Sequence, residues 1–182
     1  MQNSILHDSG RKLPIGIQSF EKLITQHFKY VDKTAYIYDL AHNNVPYFLS
    51  RPRRFGKSLL ISTLSAYWHG QKALFDGLAI EALEASNPEA WQPYPVFFFD
   101  LNRDNYRREG ALEDVLRLHL VEWEKQYGCD DPDVSLAIRF QNLLGRARER
   151  YGKLCVILID EYDKPPSISW EMMSRSSTTK PS

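Results

Sequence analysis

The sequence has few of the residues that build metal centres or disulfide frameworks. Its 182 residues include only two cysteines, Cys129 and Cys155, which offer neither a disulfide framework nor a metal-ligand spacing. The five histidines form no paired spacing of the HxxxH kind, so we expect no zinc site. Cys155 lies within an apolar run, where a buried thiol is the simplest expectation.

The chain also lacks an excess of either charge and any long apolar run. Lys and Arg together number 23, as do Asp and Glu, so no overall field favours nucleic acid, an anionic membrane or an acidic partner. No stretch approaches the roughly 20 apolar residues that a membrane span needs. Residues 1–12 contain no apolar run typical of a signal peptide. We therefore expect a cytoplasmic protein with no membrane partner.

Three apolar segments rich in strand-forming residues alternate with helical patterns along the chain. The predicted strands are 45–49, 95–101 and 154–159, and the predicted helices are 32–41, 57–69, 109–127 and 133–150, after a short helical pattern within 14–30. The segment 154–159 is apolar without alternation, which indicates burial on both faces, as in a parallel sheet. Strands separated by helices predict an α/β fold with a parallel sheet flanked by helices.

The ends and faces of the predicted helices can be assigned from single residues. Asp32 is a candidate N-cap of helix 32–41, and Pro132 suits the first turn of helix 133–150. Apolar residues recur at helical spacing in helix 57–69 and predict one buried stripe, ended by Gly70. The stripe consists of Leu60, Leu64, Tyr67 and Trp68.

The most informative segment is 51–58, which follows a predicted strand and opens a predicted helix, as a phosphate-binding loop does. A helix N-terminus carries unpaired N–H groups and about half a positive charge, so it attracts phosphate. Gly56 lets the backbone approach the phosphates, Lys57 would reach the β- and γ-phosphates in a catalytic role, and Ser58 would bind Mg²⁺. The predicted nucleotide-binding segment also includes Arg53, Arg54, Phe55 and Leu59.

Arg51 occupies the position of the first glycine in the GxxxxGK[ST] pattern. This substitution weakens the match but removes none of the groups that would touch phosphate. An alternative interpretation of Arg51, Arg53 and Arg54 is a basic surface loop or a nucleic-acid-binding patch. The three arginines are too few, and too isolated from aromatic residues, to favour nucleic acid by themselves.

A second motif ends the apolar segment 154–159 in two carboxylates, Asp160 and Glu161. In P-loop ATPases the corresponding Asp holds Mg²⁺ and the next Glu polarises the attacking water. Asp160 fits the metal-binding role, and Glu161 fits the role of catalytic base. A strand that ends in solvated acids is the plainer alternative. However, the two motifs occur in the expected order, each at the carboxyl end of a predicted strand.

Together, these segments resemble the AAA-ATPase-like family of bacteria. The resemblance is carried by residues 13–16, 30–34, 51–59, 75–78 and 160–165. It covers roughly residues 13–165, and its most specific segments are the second motif and the phosphate-binding loop. Arginine at position 51 is then a family trait.

The resemblance implies a P-loop NTPase that binds ATP and Mg²⁺ and hydrolyses ATP. Its partner is a nucleotide, and a homo-oligomer is compatible with it. Full-length relatives commonly carry a restriction-nuclease-like domain near the C-terminus, through which any contact with nucleic acid would arise. The resemblance also makes Asp32, Lys33 and Thr34 candidates for nucleotide contact, with a helix-capping turn as the alternative.

The expected organisation has three parts. We expect a mobile tail over residues 1–13, a partial P-loop ATPase domain over 14–166 and a disordered tail outside the family over 167–182. Because relatives continue into further helices and strands, the sheet is expected to be incomplete at the C-terminus and hydrolysis to be impaired. The alternative function is a degenerate P-loop module that binds protein or nucleic acid.

Overall fold

The computed structural model describes residues 11–43, 45–50, 55–103, 106, 108–129, 131 and 133–162. These residues fall into two compact units, divided between Pro93 and Tyr94. Among the helices in these ranges, none is long and apolar enough to cross a membrane. The domain boundaries expected from the sequence remain predictions.

The described part of the first unit is helical. It contains α1 (Phe20–Thr25), α2 (Thr34–His42), α3 (Lys57–Trp68), a 3-10 helix (Lys72–Phe75) and α4 (Ala79–Leu83). The second unit combines two strands with two long helices. These are β1 (Val96–Asp100), α5 (Ala111–Tyr127), α6 (Leu136–Tyr151) and β2 (Val156–Asp160).

The core of the first unit is built on an aromatic pair, Phe20 and Phe75, whose ring centroids lie 4.9 Å apart. The predicted stripe of α3 is confirmed, because Tyr67 is buried in this core and the other three stripe residues pack against it. Gly70 follows α3 with a φ of 70°, and a Cβ there would lie 2.4 Å from the carbonyl oxygen of Trp91. Glycine is therefore required where α3 ends.

The second unit has the α/β organisation that the sequence predicts. Strands β1 and β2 pair in parallel, with Phe97 opposite Ile157 and Asp100 opposite Asp160. Phe97 is fully buried in a cluster with residues of α5 and α6, including Leu120 and Leu143. The predicted strands at 95–101 and 154–159 are thus confirmed in slightly shifted form.

The predicted strand over residues 45–49 is wrong. Residues 45–50 carry no strand, and Val45, Tyr47 and Phe48 are more than half exposed, at 54%, 51% and 74%. The residue types favour a strand here, but the backbone does not adopt one. Strand-forming side chains alone do not create a strand.

The expected burial of segment 154–159 on both faces is also wrong. Leu154, Ile157 and Ile159 are 66%, 45% and 46% exposed. In the part of the second unit that the structure describes, β2 pairs with β1 and with no other strand. It is therefore an edge strand, and its apolar composition is not matched by two covered faces.

Two predicted helix starts are corrected by local capping. Helix α2 begins at Thr34, with Lys33 rather than Asp32 at the N-cap position. Helix α6 begins at Leu136, because the Ser135 hydroxyl accepts a hydrogen bond from the Ile138 N–H at 3.4 Å. The role predicted for Pro132 lies outside the described residues.

A buried ion pair joins α5 to α6. Arg139 donates to both carboxylate oxygens of Glu124, at 2.8 and 2.7 Å, and the two side chains are only 6% and 8% exposed. We expect Glu124→Leu alone to lower the free energy of unfolding by about 3–5 kcal/mol, because it removes the carboxylate that pairs with a buried guanidinium. Urea unfolding monitored by circular dichroism measures this change.

The matched control is the double variant Glu124→Leu with Arg139→Met, which replaces the pair with apolar side chains. It should recover most of the loss, since no charge then remains buried. Equal stability of the single and double variants would contradict this account of the ion pair.

Candidate nucleotide-binding site

The predicted site residues lie in both units. Gly56, Lys57, Ser58 and Leu59 are at the start of α3 in the first unit, while Asp160 and Glu161 are at the end of β2 in the second. Arg53 and Arg54 lie outside the described residues. Phe55, just before the helix, is 65% exposed. The convergence of the two groups on one nucleotide remains a prediction.

Gly56 occupies the N-cap position of α3 in a left-handed conformation, with φ 76° and ψ 21°. A Cβ at this position would meet no atom within 4 Å, so glycine is favoured here by backbone conformation and not by crowding. Its carbonyl oxygen accepts the first helical hydrogen bond, from the Leu60 N–H at 2.9 Å. The loop thus enters the helix through a turn that other residues adopt only at a cost.

The N-cap residue of α3, Gly56, has no side chain to cap the helix, and the first turn contains no acidic residue. By contrast, α1 has a capping Ser19 and an acidic first-turn residue, Glu21, and α6 has its capping Ser135. The first amides of a helix carry partial positive charge and have no intrahelical partner. A twelve-residue helix that begins this way suits an anionic ligand.

Interior contacts fix the direction in which α3 begins. Leu59 packs against the core of the first unit, and its carbonyl accepts a hydrogen bond from the Thr63 hydroxyl at 2.8 Å. The Ser62 hydroxyl accepts a hydrogen bond from the Phe20 N–H, at the start of α1, at 2.9 Å. Leu59 therefore anchors the helix. Gly56, Lys57 and Ser58 precede it in the chain.

Asp32 and Thr34 form a capping network between α2 and α4. Asp32 Oδ1 accepts hydrogen bonds from the N–H and the hydroxyl of Thr34, both at 2.8 Å, and Oδ2 accepts one from the Ala79 N–H at 2.7 Å. The fully buried Thr34 hydroxyl also accepts from the Ile80 N–H at 3.1 Å. These contacts favour the capping interpretation of the segment over nucleotide contact.

The end of β2 is held by short backbone contacts. Asp160 is 6% exposed, and its Oδ1 accepts a hydrogen bond from the Glu161 N–H at 2.9 Å. The Asp160 carbonyl accepts another from the Leu101 N–H at 3.2 Å, which extends the pairing beyond β1. Contacts within the chain therefore orient Asp160.

Glu161 has a left-handed backbone, with a φ of 56°. This conformation is unusual for a residue with a side chain and costs about 1–2 kcal/mol. Backbone strain of this kind is found most often at functional sites, where the surrounding structure maintains it. Sequence reasoning predicted a role for Glu161 but could not detect its conformation.

Asp100, at the end of β1 beside Asp160, was not predicted from the sequence as a site residue. It is the last residue of β1 and the register partner of Asp160, so the two carboxylates follow neighbouring parallel strands at the same end. The Asn102 N–H donates to Asp100 Oδ1 at 2.9 Å. The sequence does contain a signal: Asp100 directly follows the apolar segment 95–99, just as Asp160 directly follows the apolar segment 154–159.

His119 holds the end of β1 from the core side. It is 2% exposed, and its ring stacks on Trp123 with centroids 5.4 Å apart. Burial lowers the pKa of the imidazole, which keeps it neutral near pH 7. Its Nε2 lies 3.2 Å from the Asp100 carbonyl oxygen, and since that oxygen can only accept, Nε2 carries the proton and donates it.

The residues at the two motifs fit the ligand preferences of magnesium bound to a nucleotide. In the described ranges, no group of three or more His, Cys, Asp or Glu residues could hold a metal ion. Magnesium in phosphate sites needs only one or two protein oxygens, because phosphate and water supply the rest. Ser58 and Asp160 each carry an oxygen of the type that magnesium prefers, and their use as ligands of one ion remains a prediction.

The capping role of Asp32 leads to a stability prediction. Asp32→Ala removes the acceptor for two helix N-termini, and we expect it to lower the free energy of unfolding by about 1–3 kcal/mol. Chemical denaturation followed by circular dichroism measures the loss. Asp39→Ala, on the same helix, is the control and should cost less; an equally small effect at both positions would contradict the capping role.

Comparisons with known proteins place these motifs in a family. A model of the family described as "Predicted AAA-ATPase" matches residues 14–180, which extends past residue 166, where we expected the resemblance to end. The "Uncharacterized protein in vnfD 5'region" of Azotobacter chroococcum mcd 1 is 36% identical over 165 residues. The alignment covers 86% of this chain, and the chain spans only 30% of that relative. No solved structure matches the chain. The family match includes both predicted motifs and confirms the resemblance: the chain belongs to the AAA-ATPase-like family.

Proposed function

We propose that this chain is the nucleotide-binding part of a P-loop ATPase, which binds ATP with Mg²⁺ and hydrolyses it. The observation that carries the proposal is the start of α3. There, a left-handed Gly56 leads into Lys57 and Ser58 at a helix N-terminus without a capping side chain or first-turn acid. Family membership supports nucleotide binding in general.

The phosphate end of the site is assigned to α3. In the proposal, the N–H groups of its first turn hold the β-phosphate, and the Lys57 ammonium binds the β- and γ-phosphates. Phe55 and Leu59 flank this turn, and the preceding Arg53 and Arg54 complete the binding segment. Leu59 lies on the core side, so its contribution is to anchor the helix.

The metal and water end is assigned to β2. Magnesium, when bound, would neutralise charge that develops on the phosphates during hydrolysis. Ser58 and Asp160 would hold the ion. Glu161 would accept the proton of the water that attacks the γ-phosphorus, so that ATP and water yield ADP and inorganic phosphate. The left-handed Glu161 supports this role, because strain is retained where function requires it.

Removal of the Lys57 ammonium tests the phosphate end. Hydrogen bonds to charged groups contribute about 1.5–3 kcal/mol, so we expect Lys57→Ala to weaken ATP binding by about 10- to 100-fold. Isothermal titration calorimetry with Mg²⁺–ATP measures the dissociation constant. Lys72→Ala, at an exposed lysine of the same unit, is the matched control and should bind normally.

Unchanged ATP affinity in Lys57→Ala would refute the assignment of the loop. If the unaltered chain binds no nucleotide but binds DNA with a steep salt dependence, the alternative function in nucleic-acid binding would be favoured instead.

Removal of the Glu161 carboxylate tests the water end. Glu161→Gln keeps the size of the side chain but cannot accept a proton, so we expect ATP binding to persist and phosphate release to fall by about 10²-fold or more. Turnover is measured as phosphate released per minute at saturating ATP. Glu149→Gln, at an exposed acid of α6, is the control. Full turnover in Glu161→Gln would exclude Glu161 as the base.

A further inference from the structure

We infer that Tyr162 is a positioning residue, which holds Glu161 in its left-handed conformation. The catalytic consequence rests on the function proposed above, but the conformational role does not. The inference follows from contacts on both sides of Glu161. The peptide before it is fixed by hydrogen bonds, and the residue after it is fixed by packing.

The peptide that joins Asp160 to Glu161 is held at both of its polar atoms. The Leu101 N–H donates to its carbonyl oxygen at 3.2 Å, and its own N–H donates to Asp160 Oδ1 at 2.9 Å. Asp160 is itself buried, so its carboxylate has little freedom to move. The plane of this peptide is therefore set by the pairing of β1 with β2 together with the Asp160 carboxylate.

Tyr162 provides the second constraint. Its half-buried side chain packs against a buried cluster in the second unit. The cluster consists of Phe99, Leu101, Tyr106, Ala111 and Val115. The Tyr106 hydroxyl donates to the Leu101 carbonyl at 2.6 Å, so the cluster is joined to the same segment that holds Asp160.

These two constraints explain the backbone of Glu161. The chain must leave a fixed peptide and, one residue later, place an aromatic ring on a fixed cluster. A φ of 56° satisfies both, although it is unfavourable for glutamate. Such strain persists only while the surroundings over-determine it. Loss of the ring contact removes one of these constraints and favours relaxation of Glu161, which turns its Cα–Cβ bond and redirects the carboxylate.

Amide hydrogen exchange tests the conformational role without any nucleotide. In Tyr162→Ala, we expect exchange of the Glu161 N–H to accelerate about tenfold, because local opening becomes easier. The Val156 N–H, which donates to Pro95 at the start of β2, should change much less. Tyr162→Phe keeps the ring and should restore slow exchange, and Tyr162→Leu replaces Tyr162→Ala if the latter does not fold.

Tyr151→Ala is the matched control. Tyr151 is also a half-buried tyrosine of the second unit, but it packs on the other cluster, around Phe97. Tyr151→Ala should not selectively accelerate exchange of the Glu161 N–H. If Tyr162→Ala accelerates amide exchange at Glu161 and at Val156 by the same factor, Tyr162 only stabilises the unit. The inference is then overturned.

Comparison of Glu161→Gly with Glu161→Ala tests whether the strain depends on Tyr162. Glycine adopts positive φ freely, so in the otherwise unaltered chain Glu161→Gly should have the higher urea midpoint. In a Tyr162→Ala background the strain is already released, and this advantage should shrink or reverse. An equal advantage in both backgrounds would overturn the inference.

Phosphate release connects the conformational role to catalysis. Tyr162→Ala should lower turnover about tenfold and leave the dissociation constant for Mg²⁺–ATP unchanged, whereas Tyr162→Phe should keep turnover near that of the unaltered chain. If Tyr162→Ala selectively accelerates exchange of the Glu161 N–H but leaves turnover unchanged, the catalytic part of the inference is overturned. Absence of ATP binding by the unaltered chain would instead refute the proposed function, and the exchange result would still decide the role of Tyr162.

Discussion

The parallel pairing of β1 with β2 is the constraint that positions Asp160 and Glu161. It brings Asp100 and Asp160 to the same end of neighbouring strands and lets the Leu101 N–H hold the Asp160 carbonyl. The cluster beneath this pairing contains Phe99 and Leu101, and Tyr162 packs on that same cluster. Backbone pairing and aromatic packing therefore act on one short segment, and Glu161 is the residue between them.

Helix ends show how the chain distributes charge. Asp32 serves the N-termini of both α2 and α4, and the capping hydroxyls of Ser19 and Ser135 serve α1 and α6. Helix α3 begins instead at Gly56, without such an oxygen and without an acid in its first turn. A capping carboxylate there would compete with phosphate for the same amides. Under the proposed function, a helix start at glycine leaves the first-turn amides without competition from a capping side chain of the N-cap residue.

Much of the fold could be predicted from local pattern, because helices are encoded by nearby residues. The stripe of α3 follows from residue spacing, and the strand that ends in Asp160 follows from a run of apolar residues. The failure at 45–49 has a physical cause, since Val45, Tyr47 and Phe48 favour a strand but strand formation requires a partner distant in sequence. The start of α2 was predicted at Asp32 but lies at Thr34, and Asp32, just before the helix, accepts hydrogen bonds from Thr34 and from Ala79, 47 positions away.

The candidate site was predictable as chemistry but not as conformation. The types and order of Gly56, Lys57, Ser58, Asp160 and Glu161 indicate phosphate, metal and water chemistry, and the left-handed φ of Gly56 is the kind of feature that a glycine predicts. The left-handed φ of Glu161 is not, because it arises from its neighbours. Local rules of stability are broken at both motifs, by an uncapped helix start at one and a strained glutamate at the other. Left-handed backbone also occurs at His27, Trp91 and Tyr106, so what distinguishes Glu161 is its position directly after Asp160 at the end of β2.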